Sequence, residues 1–71
     1  MEQKKQELET ILDDLSAIGD HESLFNLALS LDGEAGRAAG CRSLAVQHRL
    51  NGDIERAICY EKMSEDHLSN L

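Results

Sequence analysis

Gly52-Asp53-Ile54-Glu55-Arg56-Ala57-Ile58-Cys59-Tyr60-Glu61-Lys62-Met63 decides the fold of this chain. Glycine enters the left-handed region without the steric cost a Cβ would impose, so Gly52 is suited to stop one helix. Asp53 follows at the position where a carboxylate can accept from the exposed N–H groups of a new first turn. The next helix is expected from about Ile54 to Leu68. Its inward face is predicted to hold Ile54, Ala57, Ile58, part of Glu61 and Leu68, with Tyr60 and Met63 on the flanks. Ser69-Asn70-Leu71 is expected to fray, and His67 lies beside it.

Reading backwards from Asn51-Gly52, a helix is expected from Glu34 to Leu50. Ala38, Cys41, Ala45 and His48 form one stripe, broadened by Leu44 and Val46. Its start is rich in small residues, with Gly36 and Gly40 four apart on one face. Glycine inside a helix costs about 1 kcal/mol against alanine. The stretch therefore either packs closely on a neighbour or is a flexible entry; the reading favours a helix that becomes firm by Ala38.

Two further helices precede it. Leu8, Ile11, Leu12, Leu15 and Ile18 recur at intervals of 3, 1, 3 and 3, one helical face, over about Glu2 to Ile18. Gly19 is a candidate stop and Asp20 a candidate cap for a helix over about His21 to Leu31. That second helix carries Leu24, Phe25, Leu27, Ala28, Leu29 and Leu31, apolar around much of its circumference. Such a helix is central in the core or shared with a partner. Asp32-Gly33 then marks a turn. The absence of proline, the wealth of good helix formers and the short connections predict an all-α fold, a single domain over 1–71: a small antiparallel bundle of three to four helices.

Residues 38–68 resemble a tetratricopeptide helical hairpin. Leu44 and Ala45 stand at the family's Leu and small-residue positions, Asn51-Gly52-Asp53 at its turn, and Ala57 at the alanine of its second helix. The resemblance implies close packing of Ala57 on Ala45, and a protein that binds other proteins. It covers one unit. Cys41 and His48 stand where aromatic residues are usual, Tyr60 is one place from the expected aromatic position, and no second copy is read in the first half. A binding groove in that family needs several stacked units, so no peptide-contact residues are carried over.

Composition narrows the function. The chain has 71 residues and a formal net charge of −7. That charge disfavours direct binding to nucleic acid, which requires cations to displace phosphate counterions, and disfavours anionic membrane. No apolar run approaches the roughly 18–20 residues of a membrane span. Met1-Glu2-Gln3-Lys4-Lys5 leads into alternating polar and apolar residues and not into a signal-peptide block. Two cysteines are too few for a disulfide scaffold, so a cytoplasmic protein with reduced thiols is expected. A chain this short has a modest core, and oligomerisation is a natural source of further burial.

No catalytic residue, cofactor site or metal site emerges. Cys41 and His48, or Cys59 and His67, lack the short spacings of structural zinc sites, and free cysteine packs well as a small apolar residue. Asp13 and Asp14 sit about 100° apart on a helix, a poor chelate, and read as a solvated acidic face or a docking face. The first 34 residues hold nine acids against two lysines, whereas Arg37 to Lys62 holds five bases against three acids. Such asymmetry suits self-association with complementary fields. The expected function is a non-enzymatic, acidic helical protein–protein interaction module that forms a homodimer. Its interface is expected at Leu24, Phe25, Leu27 and Leu31, with Asp13, Asp14, Arg42 and Arg49 as its charged members. Two alternatives stand beside it: an acidic decoy that occupies a basic site on a larger protein, and a phosphate-ligand binder using Arg42, Arg49 and Arg56.

Overall fold

The computed structural model describes residues 2–71, with side chains from Lys4 onward; the first three residues of the N-terminal reading lie outside those side chains. Four helices follow in order: α1 (Glu2–Ala17), α2 (His21–Ser30), α3 (Gly33–Leu50) and α4 (Ile54–Ser69). The fold is all-α, a small helical bundle.

Two of the three connections are built alike. At the end of α1, Gly19 has φ +74°, its N–H donates to Ser16 O at 3.1 Å, and the Asp20 N–H donates to Leu15 O at 2.9 Å. At the end of α3, Gly52 has φ +82°, its N–H donates to Arg49 O at 3.1 Å, and the Asp53 N–H donates to His48 O at 2.8 Å. Both pairs close the Schellman pattern, which satisfies carbonyls the helix itself leaves unpaired. In both, the next aspartate caps the following helix: Asp20 Oδ1 accepts from Ser23 N at 3.1 Å and Asp53 Oδ1 from Arg56 N at 3.3 Å.

The remaining connection works through packing. Asp32 makes no side-chain cap bond. Instead Gly36 lies against the last turn of α2, where a Cβ would stand 2.5 Å from Leu31 O and 3.2 Å from Ala28 O. The small-residue stretch is thus helical from Gly33, one residue before the start expected at Glu34, and its Gly36 admits the backbone of α2.

Contacts along the helices fix their directions. Glu34 meets His67, Ala38 meets Ser64 and Arg49 meets Glu61, so α3 and α4 are antiparallel. Ser43 meets His21 and Gly40 lies nearest Ala28, so α2 and α3 are antiparallel too. Asp13 meets Arg42 and Gly19 lies nearest Leu50, so α1 runs parallel to α3. α3 is the central element, flanked by α2 and α4, with α1 laid against it.

The core is small. Leu12, Leu24, Val46 and Leu68 are its large members, and Ala38, Ala39, Ala45 and Ala57 complete the buried apolar set. The register that sets Ser64 against Ala38 also sets Ala57 against Ala45, both fully buried. The inward face of α4 is Ala57, Ser64 and Leu68. Ile54 and Ile58, expected inside, are 44% and 53% exposed. The two helices meet through small residues, which brings their backbones close and leaves no room for branched side chains in the seam. Two serines are buried among these residues: Ser64 Oγ donates to Ala38 O and Ser43 Oγ to His21 O, each at 2.8 Å. These bonds satisfy the buried hydroxyls. The end of α4 is tied down: His67 Nδ1 lies 2.7 Å from Glu34 Oε2, and Asn70 Nδ2 donates to the same oxygen at 3.4 Å.

Candidate functional site

A groove of about 370 Å³ runs along the side of α3. α2 contributes Phe25 and Ala28. α3 supplies the floor with Gly40, Cys41 and Leu44, and the ends with Arg37 and Gln47. α4 contributes His67. Arg42, which reaches α1, is two residues from Leu44 and hence about 200° away around α3. α1 therefore lies across α3 from the groove.

The side chains around the groove are more apolar than a surface needs. Phe25 is 53% and Leu44 40% exposed. Leu29 follows Phe25 by one turn of α2, and Met63 precedes His67 by one turn of α4; both are exposed. Tyr60, one further turn back, stacks flat on His48, with ring centroids 5.4 Å apart and planes 3° from parallel. His48 is half-buried. Cys41 is half-buried at the floor, and that burial pushes its thiol pKa up, away from the reactive thiolate. Cys59 is exposed.

Gly40 is the unusual member. A Cβ there would find one neighbour within 4 Å, Ala28 Cβ at 3.7 Å, an ordinary contact. Nothing inside the chain requires glycine at this mid-helix position, in contrast to Gly36.

The residues expected to form an interface separate into different settings. Leu24 is fully buried in the core, so it has no surface to offer a partner. Leu27 is half-buried against that core, and Leu31 is half-buried at the end of α2. Phe25 alone of the four is widely exposed. α2 is apolar all round because Leu24, Leu27 and Ala28 pack inward while Phe25 and Leu29 face out. Asp13 and Arg42 do not face outward as complementary patches. Arg42 Nη1 donates to Asp13 Oδ1 at 2.8 Å and to Ser16 Oγ at 3.3 Å within the chain. Asp14 is exposed. Arg49 donates to both oxygens of Glu61 at 2.9 Å.

Arg56 pairs with Asp53 at 3.5 Å, and Arg37 with Glu34 at 3.2 Å. Arg42, Arg49 and Arg56 are thus each committed to a different carboxylate. A charged cleft of about 220 Å³ lies beside Arg42, lined also by Lys5, Glu9, Asp13 and Glu65. Its three carboxylates make it a poor seat for an anion. Among the described residues, no helix is long and apolar enough to cross a membrane.

Comparison of the chain with protein-family profiles, curated proteins and solved structures returned no match.

Proposed function

We propose that this chain is a non-enzymatic protein–protein interaction module and that the groove across α3 is its working surface. The observation that carries this reading is Gly40. A mid-helix glycine costs about 1 kcal/mol against alanine, alanine would fit, and the position opens on the groove lined by Phe25, Ala28 and Leu44. A close approach from outside the chain accounts for it, as glycine elsewhere admits a backbone or ring. Phe25 and Leu44 beside it are the exposed apolar anchors that helix-in-groove recognition uses. The resemblance of residues 38–68 to a tetratricopeptide hairpin agrees with a binding role.

A photo-crosslinking side chain at Gln47 or Arg37, with Thr10 on α1 as control, tests this in the native cell. Groove positions should give discrete adducts that Gly40→Leu suppresses. Adducts no different from those at Thr10 would refute it.

A second reading, an acidic decoy for a basic site, draws on one feature. All four arginines are paired with carboxylates in the chain, while no ion pair among the described residues engages Glu7, Asp14, Glu22 or Glu55. The surplus negative charge is therefore left outward. Association of this kind would weaken steeply as salt rises.

A further inference from the structure

Resting on the reading of the groove as an interaction surface, we infer that its occupant is a second copy of this chain, packed groove to groove about a two-fold axis, with Phe25 of each copy seated over Gly40 of the other. Three observations carry this.

The first is self-complementarity. A two-fold interface requires one face to hold both a projection and the recess that receives it. Phe25 projects from α2 with half its surface exposed, and Gly40 is the recess on α3. The antiparallel α2–α3 register sets Ala28 against Gly40, so Phe25 lies about one helical turn, roughly 5 Å, along from it. A small displacement between copies suffices to bring each ring over the other copy's glycine.

The second is area. Phe25, Leu29, Leu44 and Met63 are 53%, 71%, 40% and 46% exposed. At roughly 150–200 Å² per large side chain, they present about 400 Å² of apolar surface. A standard interface covers about 800 Å² per partner, a little over half of it apolar. The groove face meets that proportion once its polar margin of Arg37, Gln47 and Tyr60 is included. The same burial would supplement a core in which alanine makes up half the buried apolar residues.

The third is charge. Copies of a chain with net charge −7 repel on most approaches. The groove's lining holds no carboxylate and one arginine, Arg37. Glu34 at its end is already bonded to His67 and Arg37, and the acidic helix α1 lies across α3.

Sedimentation equilibrium of the full chain tests the inference. The wild-type chain should associate to dimers in the micromolar range. Phe25→Ser and Gly40→Leu should each weaken association at least tenfold, with helical circular dichroism unchanged. Gly40→Ala, whose single added methyl fits, serves if the larger side chain perturbs folding, and should weaken association by a smaller factor. Mixing the two strong variants should restore part of the association, because the Phe25 of one can still enter the Gly40 recess of the other. A wild-type chain that stays monomeric at several hundred micromolar overturns the inference, as does a Gly40→Leu dimer as tight as wild type, or a mixture no tighter than its components. Groove-specific crosslinks of some other mass would overturn the second copy as occupant while leaving the groove as an interaction surface; no groove-specific crosslinks would remove both.

Discussion

Gly36 of α3 lies so near the end of α2 that a Cβ would meet the Leu31 carbonyl oxygen at 2.5 Å. Backbone carbonyls cannot rotate away as a side chain does, so Gly36→Ala must push α2 and α3 apart. A net loss of about 1–3 kcal/mol is expected from such overpacking. Gly40→Ala, four residues on, should instead raise stability by about 0.5–1 kcal/mol through helix propensity. Urea unfolding of the two variants checks the pair, and equal effects of one sign would contradict the packing described.

Ser64 donates to Ala38 O from a fully buried position. Ser64→Ala should cost about 1 kcal/mol, the net worth of a hydrogen bond. Ser64→Leu should cost more, because the seam holds only small residues. Thermal melts suffice, since 1 kcal/mol shifts the midpoint of a domain this size by roughly 4–8 °C.

The hydrogen bond from His67, with help from Asn70 and the charges of His67 and Arg37, lowers the pKa of Glu34 below its ordinary value. A depressed carboxylate stabilises the fold above its unfolded-state pKa, and that contribution is lost as pH falls through the lower folded value. Wild type should therefore be more stable than Glu34→Gln near neutrality, and the gap should close in acid below the ordinary glutamate range. In His67→Ala, the Glu34 carboxyl should titrate at higher pH by NMR. An unmoved midpoint would show that His67 is not the cause.

Arg42 is the least exposed guanidinium of the chain's ion pairs, with 11% of its side chain accessible, and its Nε is buried without a hydrogen-bond partner. Asp13, at 68%, is open to water. Asp13→Asn should cost about 1 kcal/mol, since the acid is largely solvent-screened. Arg42→Met should cost no more than that, because an apolar side chain of similar length removes the orphaned donor along with the charge. Denaturant midpoints for both, at low and high salt, separate the two contributions.

Of the two thiols, Cys59 should react first with a maleimide, and Cys41 several-fold more slowly. Exposure favours Cys59, and burial raises the pKa of Cys41 and so slows its reaction. Mass spectrometry of a time course, with digestion to assign the modified residue, reads the order.

The turns were legible in the sequence because their chemistry is local. Gly19-Asp20 and Gly52-Asp53 announce a left-handed stop and a cap, and both do so here. The seam between α3 and α4 was only half legible. Ala45 and Ala57, expected in it, are both fully buried. Hydrophobic periodicity, however, weights large residues, and it drew Ile54 and Ile58 inward when Ser64 completes the face with Ala57 and Leu68. Nothing in the sequence marks a serine for burial when its partner is a carbonyl on another helix. Leu24 and Phe25 were indistinguishable as neighbours on an apolar helix; their separation into core and surface depends on where α3 lies. The acidic and basic halves were seen as opposed fields between copies, yet Asp13 and Arg42 spend that attraction inside one molecule. Gly40 stood out only once Gly36 had been shown to need its missing Cβ and Gly40 had not.

The narrow seam between α3 and α4 also sets an order of events. Helices joined by a three-residue turn, pressed together through Ala38, Ala45, Ala57 and Ser64, and tied at the far end by Glu34 and His67, share few contacts that water can enter one at a time. Their amides should exchange with deuterium late and together, as one cooperative unit. α1 is held by one turn, the Leu12 side of the core and the bonds of Arg42 to Asp13 and Ser16, and its amides should exchange first. A partially opened molecule would then be a bare α2–α3–α4 layer, with the groove intact and the acidic helix released.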